Sequence, residues 1–402
     1  MVSVEGERVL AASCIRTPSE GMKVFTKDER SSKSREMVIE LLVTDQPKKE
    51  VCHDPDSHFW QMADKVHVKK SRFDKRNPET IPEADNSHVA MSVNLDACIN
   101  CNLCVRACRE VQVNDVIGMG NRGYNSKVIF DFNDPMGDST CVSCGECVQA
   151  CPTGALMESN LLDEKGKKVA KPDRKVDSLC PYCGVGCQLT YNIQGEKIIS
   201  VDGRDGPANN NRLCVKGRFG FDYIHNPERL TKPLIRKDGV PKDPKERIDP
   251  MNPLTHFREA TWDEALDFAA KKLLKIRDSK NGKKALAGFG CAKGSNEEAY
   301  LFQKLVRTGF NNNNVDHCTR MCHASSVAAL MEAIGTGAVT APVSEVKNAE
   351  VAILIGCRPT QNHPVAATFI KNAVKNNGLK LIILDPRKQD LTRIAEKSLQ
   401  FK

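Results

Sequence analysis

Aromatic residues are scarce in this chain, at 5% of 402 residues with two tryptophans and five tyrosines. No basic stretch carries the interleaved aromatics of a nucleic-acid groove. The net charge of +8, spread over segments such as Lys165 to Lys175 and Lys232 to Arg247, therefore reads as solvated linkers, and no nucleic-acid partner is expected. Long apolar runs are also missing. Nothing approaches the ~18 residues needed to cross a bilayer, which excludes a spanning helix. The N-terminus, Met1 to Arg8, has neither an apolar signal core nor a twin-arginine pair, so the cytoplasm is the expected compartment.

Cysteine, by contrast, is abundant, at 18 residues. A reducing compartment keeps such thiols free of disulfides, so metal binding is the better use for them. Cys98, Cys101, Cys104 and Cys108 follow CxxCxxCxxxC, and Cys141, Cys144, Cys147 and Cys151 repeat it, with Pro152 next. In a two-cluster ferredoxin the fourth cysteine of each run ligates the other run's cluster. Cys98, Cys101, Cys104 and Cys151 are thus assigned to one 4Fe-4S cluster, and Cys141, Cys144, Cys147 and Cys108 to a second. Zinc ribbons, built on paired CxxC knuckles, are the alternative. A third pattern, Cys180, Cys183, Cys187 and the later Cys214, suits a single 4Fe-4S cluster in a small β-rich domain.

The length allows two to four domains. A short strand (Arg8 to Ala12) and a helix (Lys27 to Val43, with Met37, Val38, Leu41 and Leu42 apolar) open the chain. Polar linkers follow at Lys69 to Asn86 and Leu162 to Val176. Thr261 and Glu264 form a capping box ahead of a helix bearing Ala265, Leu266, Ala269, Leu273 and Ile276. Strands are then predicted at Ala285 to Phe289, Val351 to Ile355 and Leu379 to Leu384. Helices at Glu297 to Thr308, Ser325 to Ile334 and Val365 to Val374 alternate with them. This alternation predicts a parallel, doubly wound α/β sheet, with ligands at the carboxyl ends of its strands.

The run Cys180-Pro181-Tyr182-Cys183-Gly184-Val185-Gly186-Cys187 with Leu213-Cys214-Val215-Lys216-Gly217, and the stretch Val315 to Ser326 containing Cys322-His323, resemble the molybdopterin oxidoreductase superfamily. Within it they resemble the catalytic subunit of cytoplasmic, NAD-linked formate dehydrogenases. The resemblance implies a molybdenum or tungsten bis-molybdopterin guanine dinucleotide beside three 4Fe-4S clusters. It makes Cys322 the metal's thiolate and His323 the adjoining active-site imidazole, and it puts Lys216 between the third cluster and the pterin. A soft thiolate suits a high-valent metal, and an imidazole can hold the proton released as formate becomes carbon dioxide. Lys293, Asn296, Gly335, Gly337, Gly356, His363, Asp385 and Arg387 carry over as cofactor contacts. Cys291, Cys318 and Cys357 are read as structural. Formate and a flavin and iron-sulfur NAD-reducing subunit are the implied partners. Another enzyme of the superfamily acting on an oxyanion, or a truncated electron-transfer module, are the alternatives.

The domains expected are 1–68 (a remnant of a 2Fe-2S and His-Cys cluster region), 88–160 (two-cluster ferredoxin), 173–232 (the third cluster) and 255–402 (an incomplete molybdopterin α/β domain). Cys14 would be the last 2Fe-2S ligand, but its three companions are absent. Cys52, His53 and His58 lack the spacing of a His-Cys cluster, so that region is expected to be empty. The chain is expected to cover only the front part of such a subunit.

Overall fold

A computed structural model describes residues 1–75, 77, 80–243 and 245–401. The chain divides into two compact units, residues 1–221 with 343–402, and residues 222–342. Among the described residues no helix is long and apolar enough to cross a membrane. The predicted linkers at Lys69 to Asn86 and Lys232 to Arg247 include Arg76, Pro78, Glu79 and Pro244, which lie outside the described residues.

In the first unit the expected opening strand is not formed. Arg8 to Ala12 contributes only the isolated Val2–Ala11 bridge, and the short pair is Ser3–Val4 with Val24–Phe25. The helix is there, over Glu29–Thr44. Asp28 caps it by accepting the Ser31 N–H, as a short acidic side chain at an N-cap should. Met37, Val38 and Leu41 nevertheless face solvent, while Ile39 and Leu42 pack against Val43, Cys52, Phe59 and Trp60.

The two cysteine runs are framed by antiparallel strands Met91–Val93 and Leu156–Glu158. Each run turns into a short helix, Leu103–Arg106 continued by a π-turn at Ala107–Val111, and Glu146–Ala150. The third run sits beside a three-stranded antiparallel sheet, Arg174–Leu179, Gln188–Gln194 and Lys197–Gly203, whose inward Leu189 and Val201 are fully buried. The predicted linker at Leu162 to Val176 is therefore partly ordered structure. Its last residues open that sheet, and its middle is tied down because Lys168 N–H donates to the His53 carbonyl.

Residues 343–402 add a parallel sheet in the order Val351–Ile355, Lys380–Leu384, Lys397–Leu399. Helix Pro364–Asn376 supplies Ile370 to the core beneath it, with Leu381, Ile383 and Leu391. Its third strand, Lys397–Leu399, is not predicted from sequence. Three residues are too few to show a period.

In the second unit Gly288–Gly290 pairs with Val315–His317, also in parallel. Both pairings have the predicted sense. However, no ladder joins this pair to the three-stranded sheet, so the described residues hold two parallel pieces in place of one continuous sheet. Periodicity identifies strands, but which strands pair is decided by tertiary contacts. The helix Trp262–Arg277 is capped by Thr261, whose hydroxyl accepts the Glu264 N–H. The predicted box is only half made there, because the Glu264 carboxylate pairs with Arg258 instead. A complete box closes helix Asn296–Lys304 at Ser295 and Glu298. No residue of Trp262–Arg277 is buried, including the expected apolar face.

Candidate functional site

The two cysteine loops of the first unit share one backbone pattern. Asn100 and Asn102 (φ 52° and 61°) are matched by Ser143 and Gly145 (φ 56° and 68°), all left-handed and at equal offsets from Cys98 and Cys141. Asparagine and glycine tolerate that region at least cost. Alternating handedness turns successive N–H groups inward, which makes a concavity suited to an anionic group. The amides of Asn100 and Ser143 each lie 3.4 Å from the sulfur two residues before them. The Val116 amide lies 3.3 Å from Cys108 Sγ.

The thiols gather across the two runs. Burial pushes Cys104 up to about 12, and Cys151, Cys98 and Cys101 push it the same way in that order. Burial raises Cys141 too, with Cys108 among the groups adding to it. Cys147, the most deeply placed, is raised by burial and then by Cys144, Cys141, Cys104 and Cys108. In the third set burial lifts Cys187 to about 12, followed by Cys180, Cys183 and Cys214. Thiols so disfavoured as anions ionise when a cation takes the proton's place, so these pockets fit cationic iron. Among the described residues no three His, Cys, Asp or Glu side chains converge as they would on one metal ion.

Lys216 lines a narrow cavity with Cys180, Cys183, Cys187 and Cys214, closed on another side by Asn362, Pro364 and Val365. The His363-Pro364 turn is therefore beside the third thiol set. At the carboxyl ends of the parallel strands, Asp385 is buried and accepts the Arg387 N–H at 2.8 Å. Gly356 (φ 58°) donates to the Leu384 carbonyl at 2.9 Å. Two buried atoms here, Arg358 Nε and Gln389 Oε1, have no protein partner. An unsatisfied donor and acceptor flanking a buried carboxylate fit a polar ligand at this edge. Sequence reasoning did not pick out Gln389. Its only signal was its place four residues after the strand-end Asp385.

The other candidates lie in the second unit. Cys322 ends helix Thr319–Cys322, and His323 sits at the junction with helix Ala324–Ile334, its carbonyl accepting the Val327 N–H. Both are exposed. Gly335 (φ 74°) ends that helix as its left-handed cap, a local reason for glycine there. Gly337 follows in the next turn. Lys293 and Asn296 bracket the Ser295 cap beside a groove of about 770 Å³, lined by Cys291, Gly294, Asp316 and His317. This groove lies at the carboxyl ends of the parallel pair. Cys291, Cys318 and Cys357, read as structural, are all exposed and pack no core.

The N-terminal candidates do not converge. Cys52 is buried beside Trp60. His53 gives Nδ1 to the Gly166 carbonyl at 2.7 Å and Nε2 to Asp96 at 2.9 Å, and His58 is exposed. Cys14 is exposed as well.

Interleaved thiol sets joined to a parallel α/β domain mark an iron-sulfur oxidoreductase. Residues 97–155 match the 4Fe-4S dicluster domain, 173–226 the molybdopterin oxidoreductase Fe4S4 domain, and 229–401 molybdopterin oxidoreductase itself. The chain belongs to the molybdopterin oxidoreductase superfamily. A Bacillus subtilis protein named as a probable oxidoreductase is 33% identical over 369 residues, 81% of this chain and 35% of that one. A Staphylococcus haemolyticus protein named "Putative formate dehydrogenase" is 34% identical over 343 residues, 76% of this chain and 33% of its own length. The chain thus spans about a third of the curated relatives it matches. Among solved structures, an NAD+-reducing [NiFe]-hydrogenase in the H2-reduced state aligns with TM-score 0.36 and 25% identity over 39% of this chain and 67% of that one. Acetylene hydratase from Pelobacter acetylenicus aligns with TM-score 0.42 and 20% identity, over 56% of this chain and 29% of that one.

Proposed function

We propose that the chain is the electron-carrying front part of a cytoplasmic formate dehydrogenase catalytic subunit. Formate yields carbon dioxide, one proton and two electrons, and three 4Fe-4S clusters carry the electrons to a flavin partner that reduces NAD. The observation that carries this reading is the crossed gathering of the thiols, Cys104 with Cys151 and Cys141 with Cys108, together with the Cys322-His323 pair downstream. The curated relatives named for formate support the substrate. The domain extents 1–68, 88–160, 173–232 and 255–402 belong to the same proposal, and the two parallel pieces fit an incomplete doubly wound domain.

A molybdenum or tungsten bis-molybdopterin guanine dinucleotide, when bound, supplies the two-electron acceptor. The chain's own residues bind and orient. Cys322 offers the soft ligand, and His323 holds the proton taken from formate at an imidazole nitrogen. Lys216 presents an ammonium beside the third thiol set. Asp385, Arg387, Gly356, His363, Lys293, Asn296, Gly335 and Gly337 are the residues that would contact the cofactor when it is bound.

The exposure of Cys322 and His323 favours a second reading, an electron-transfer module that catalyses nothing itself. Metal analysis separates the two. About twelve irons with stoichiometric molybdenum or tungsten supports the enzyme, and about twelve irons with neither supports the module. In a chain that oxidises formate, Cys322→Ala should abolish the activity and Cys318→Ser should spare it. Equal loss in both would overturn the ligand assignment.

A further inference from the structure

Arg218 is the largest fully buried side chain among the described residues, at 1% exposure. Its Nε donates to the Cys144 carbonyl at 2.9 Å. Its Nη1 donates to Gln149 Oε1 at 2.9 Å and to the Val201 carbonyl at 3.1 Å. The one carboxylate in contact, Glu146, is 3.5 Å from Nη2 and is shared with Gln112 Nε2 at 3.2 Å, while the buried Glu158 feels the guanidinium's charge without a hydrogen bond to it. The Arg218 backbone N–H donates to the Cys214 carbonyl at 3.0 Å. One residue is therefore hydrogen-bonded through its backbone to a cysteine of the third thiol set and through its guanidinium to a cysteine of the second.

A buried cation costs several kcal/mol unless it is compensated, and here the compensation from protein is thin. Two carbonyls, an amide oxygen, one distant and shared carboxylate, and a Glu158 carboxyl that burial pushes toward its neutral form neutralise the charge poorly. A thiolate-ligated cubane is an anion whose potential responds to nearby charge and hydrogen bonds. Such a group on Cys108, Cys141, Cys144 and Cys147 would face this guanidinium.

We propose that Arg218 is a positioning residue that locks the Cys144 loop to the Cys214 helix and holds a fixed positive charge that raises the reduction potential of the cluster on Cys108, Cys141, Cys144 and Cys147. This rests on the iron-sulfur reading above. When one electron leaves the cluster of the Cys214 set and reduces that of the Cys144 set, Arg218 is neither oxidised nor reduced. It offsets the added negative charge and keeps the two loops in register.

The test uses the full chain reconstituted anaerobically with iron and sulfide. Iron per chain and a redox titration followed by electron paramagnetic resonance are the readouts. Arg218→Met should keep its iron and shift one midpoint to lower potential. Arg218→Lys, which retains the charge, should restore most of that shift. Glu146→Gln, removing the opposing charge, should move the same midpoint upward. Unchanged midpoints in iron-loaded Arg218→Met, or a Lys variant shifted as far as the Met variant, overturn the inference. If Arg218→Met loses iron, Glu146→Gln decides, and an unshifted midpoint there overturns it. A parent chain that takes up no 4Fe-4S cluster at the Cys144 set overturns the reading beneath it instead.

Discussion

Replacing Gly145 by alanine should break the seat of Arg218. The backbone there is left-handed (φ 68°), which costs a residue bearing Cβ about 1–2 kcal/mol. The added methyl would also lie 2.1 Å from Arg218 Cδ, 2.7 Å from its Nε and 3.0 Å from Phe219 Cζ. A surface arginine would swing away at little cost. This one is held at Cys144, Gln149 and Val201 and has no solvent to enter. The methyl therefore overpacks a fixed core, at about 1–3 kcal/mol. Together the two effects predict a loss of roughly 2–5 kcal/mol, read as a lower urea midpoint at unchanged slope. Asn102 is the control. It holds the matching position at φ 61°, and Asn102→Gly should change stability by only a few tenths of a kcal/mol. A Gly145→Ala chain within about 0.5 kcal/mol of the parent, an ordinary surface effect, would refute the claim that Arg218 is pinned.

Three further outcomes are expected. Cys108→Ala should strip the cluster of Cys141, Cys144 and Cys147 and leave about eight of twelve irons, whereas loss of the Cys98, Cys101 and Cys104 cluster alone would show the crossing to be wrong. His53 is raised by its hydrogen bond to Asp96, so its stabilisation is full below the ordinary value of 6.5 and is lost as pH climbs through the higher folded value. Asp96→Asn should accordingly cost about 1.5 kcal/mol at pH 6 and much less at pH 9 by urea titration, and equal costs at both would reject the pairing. Burial raises Glu158 from 4.5 to about 7, and its Oε2 has no partner. The folded state thus favours the protonated form, and stability present below pH 4.5 falls as pH rises through 7. Glu158→Gln should recover on the order of 2–3 kcal/mol at pH 8 and almost nothing at pH 4, and parallel pH profiles for parent and variant would exclude that origin.

The features legible in the sequence were those whose cause is local. Cysteine spacing assigns the fourth ligand of each cluster to the partner run, because three ligands within seven residues leave one place open, and the Cys108→Ala experiment tests that assignment. Helix Glu29–Thr44 was legible from its apolar spacing, and the strands Val351–Ile355 and Lys380–Leu384 were legible as short apolar runs. Repeated left-handed positions in the two loops could have been read from Asn100, Asn102 and Gly145, but no spacing rule drew attention to them. Arg218 was invisible for a different reason. In the sequence it is one basic residue after Lys216-Gly217, and its partners lie 17 to 74 positions away.

The linker at Leu162 to Val176 shows what composition can and cannot report. Its charged residues indicate solvent exposure, but they do not report how the domain beyond it is held. Gln112 reaches the Leu213 carbonyl at 3.0 Å, Arg212 reaches the Val111 carbonyl at 3.0 Å, and Gly203 N–H reaches Gln149 at 2.8 Å. With Arg218, these contacts place the third cysteine run in the same compact unit as the first two. An exposed connection constrains little by itself. The buried polar contacts on either side of it fix the geometry, and such contacts leave no periodic trace in a sequence because each is a single pairing of distant residues.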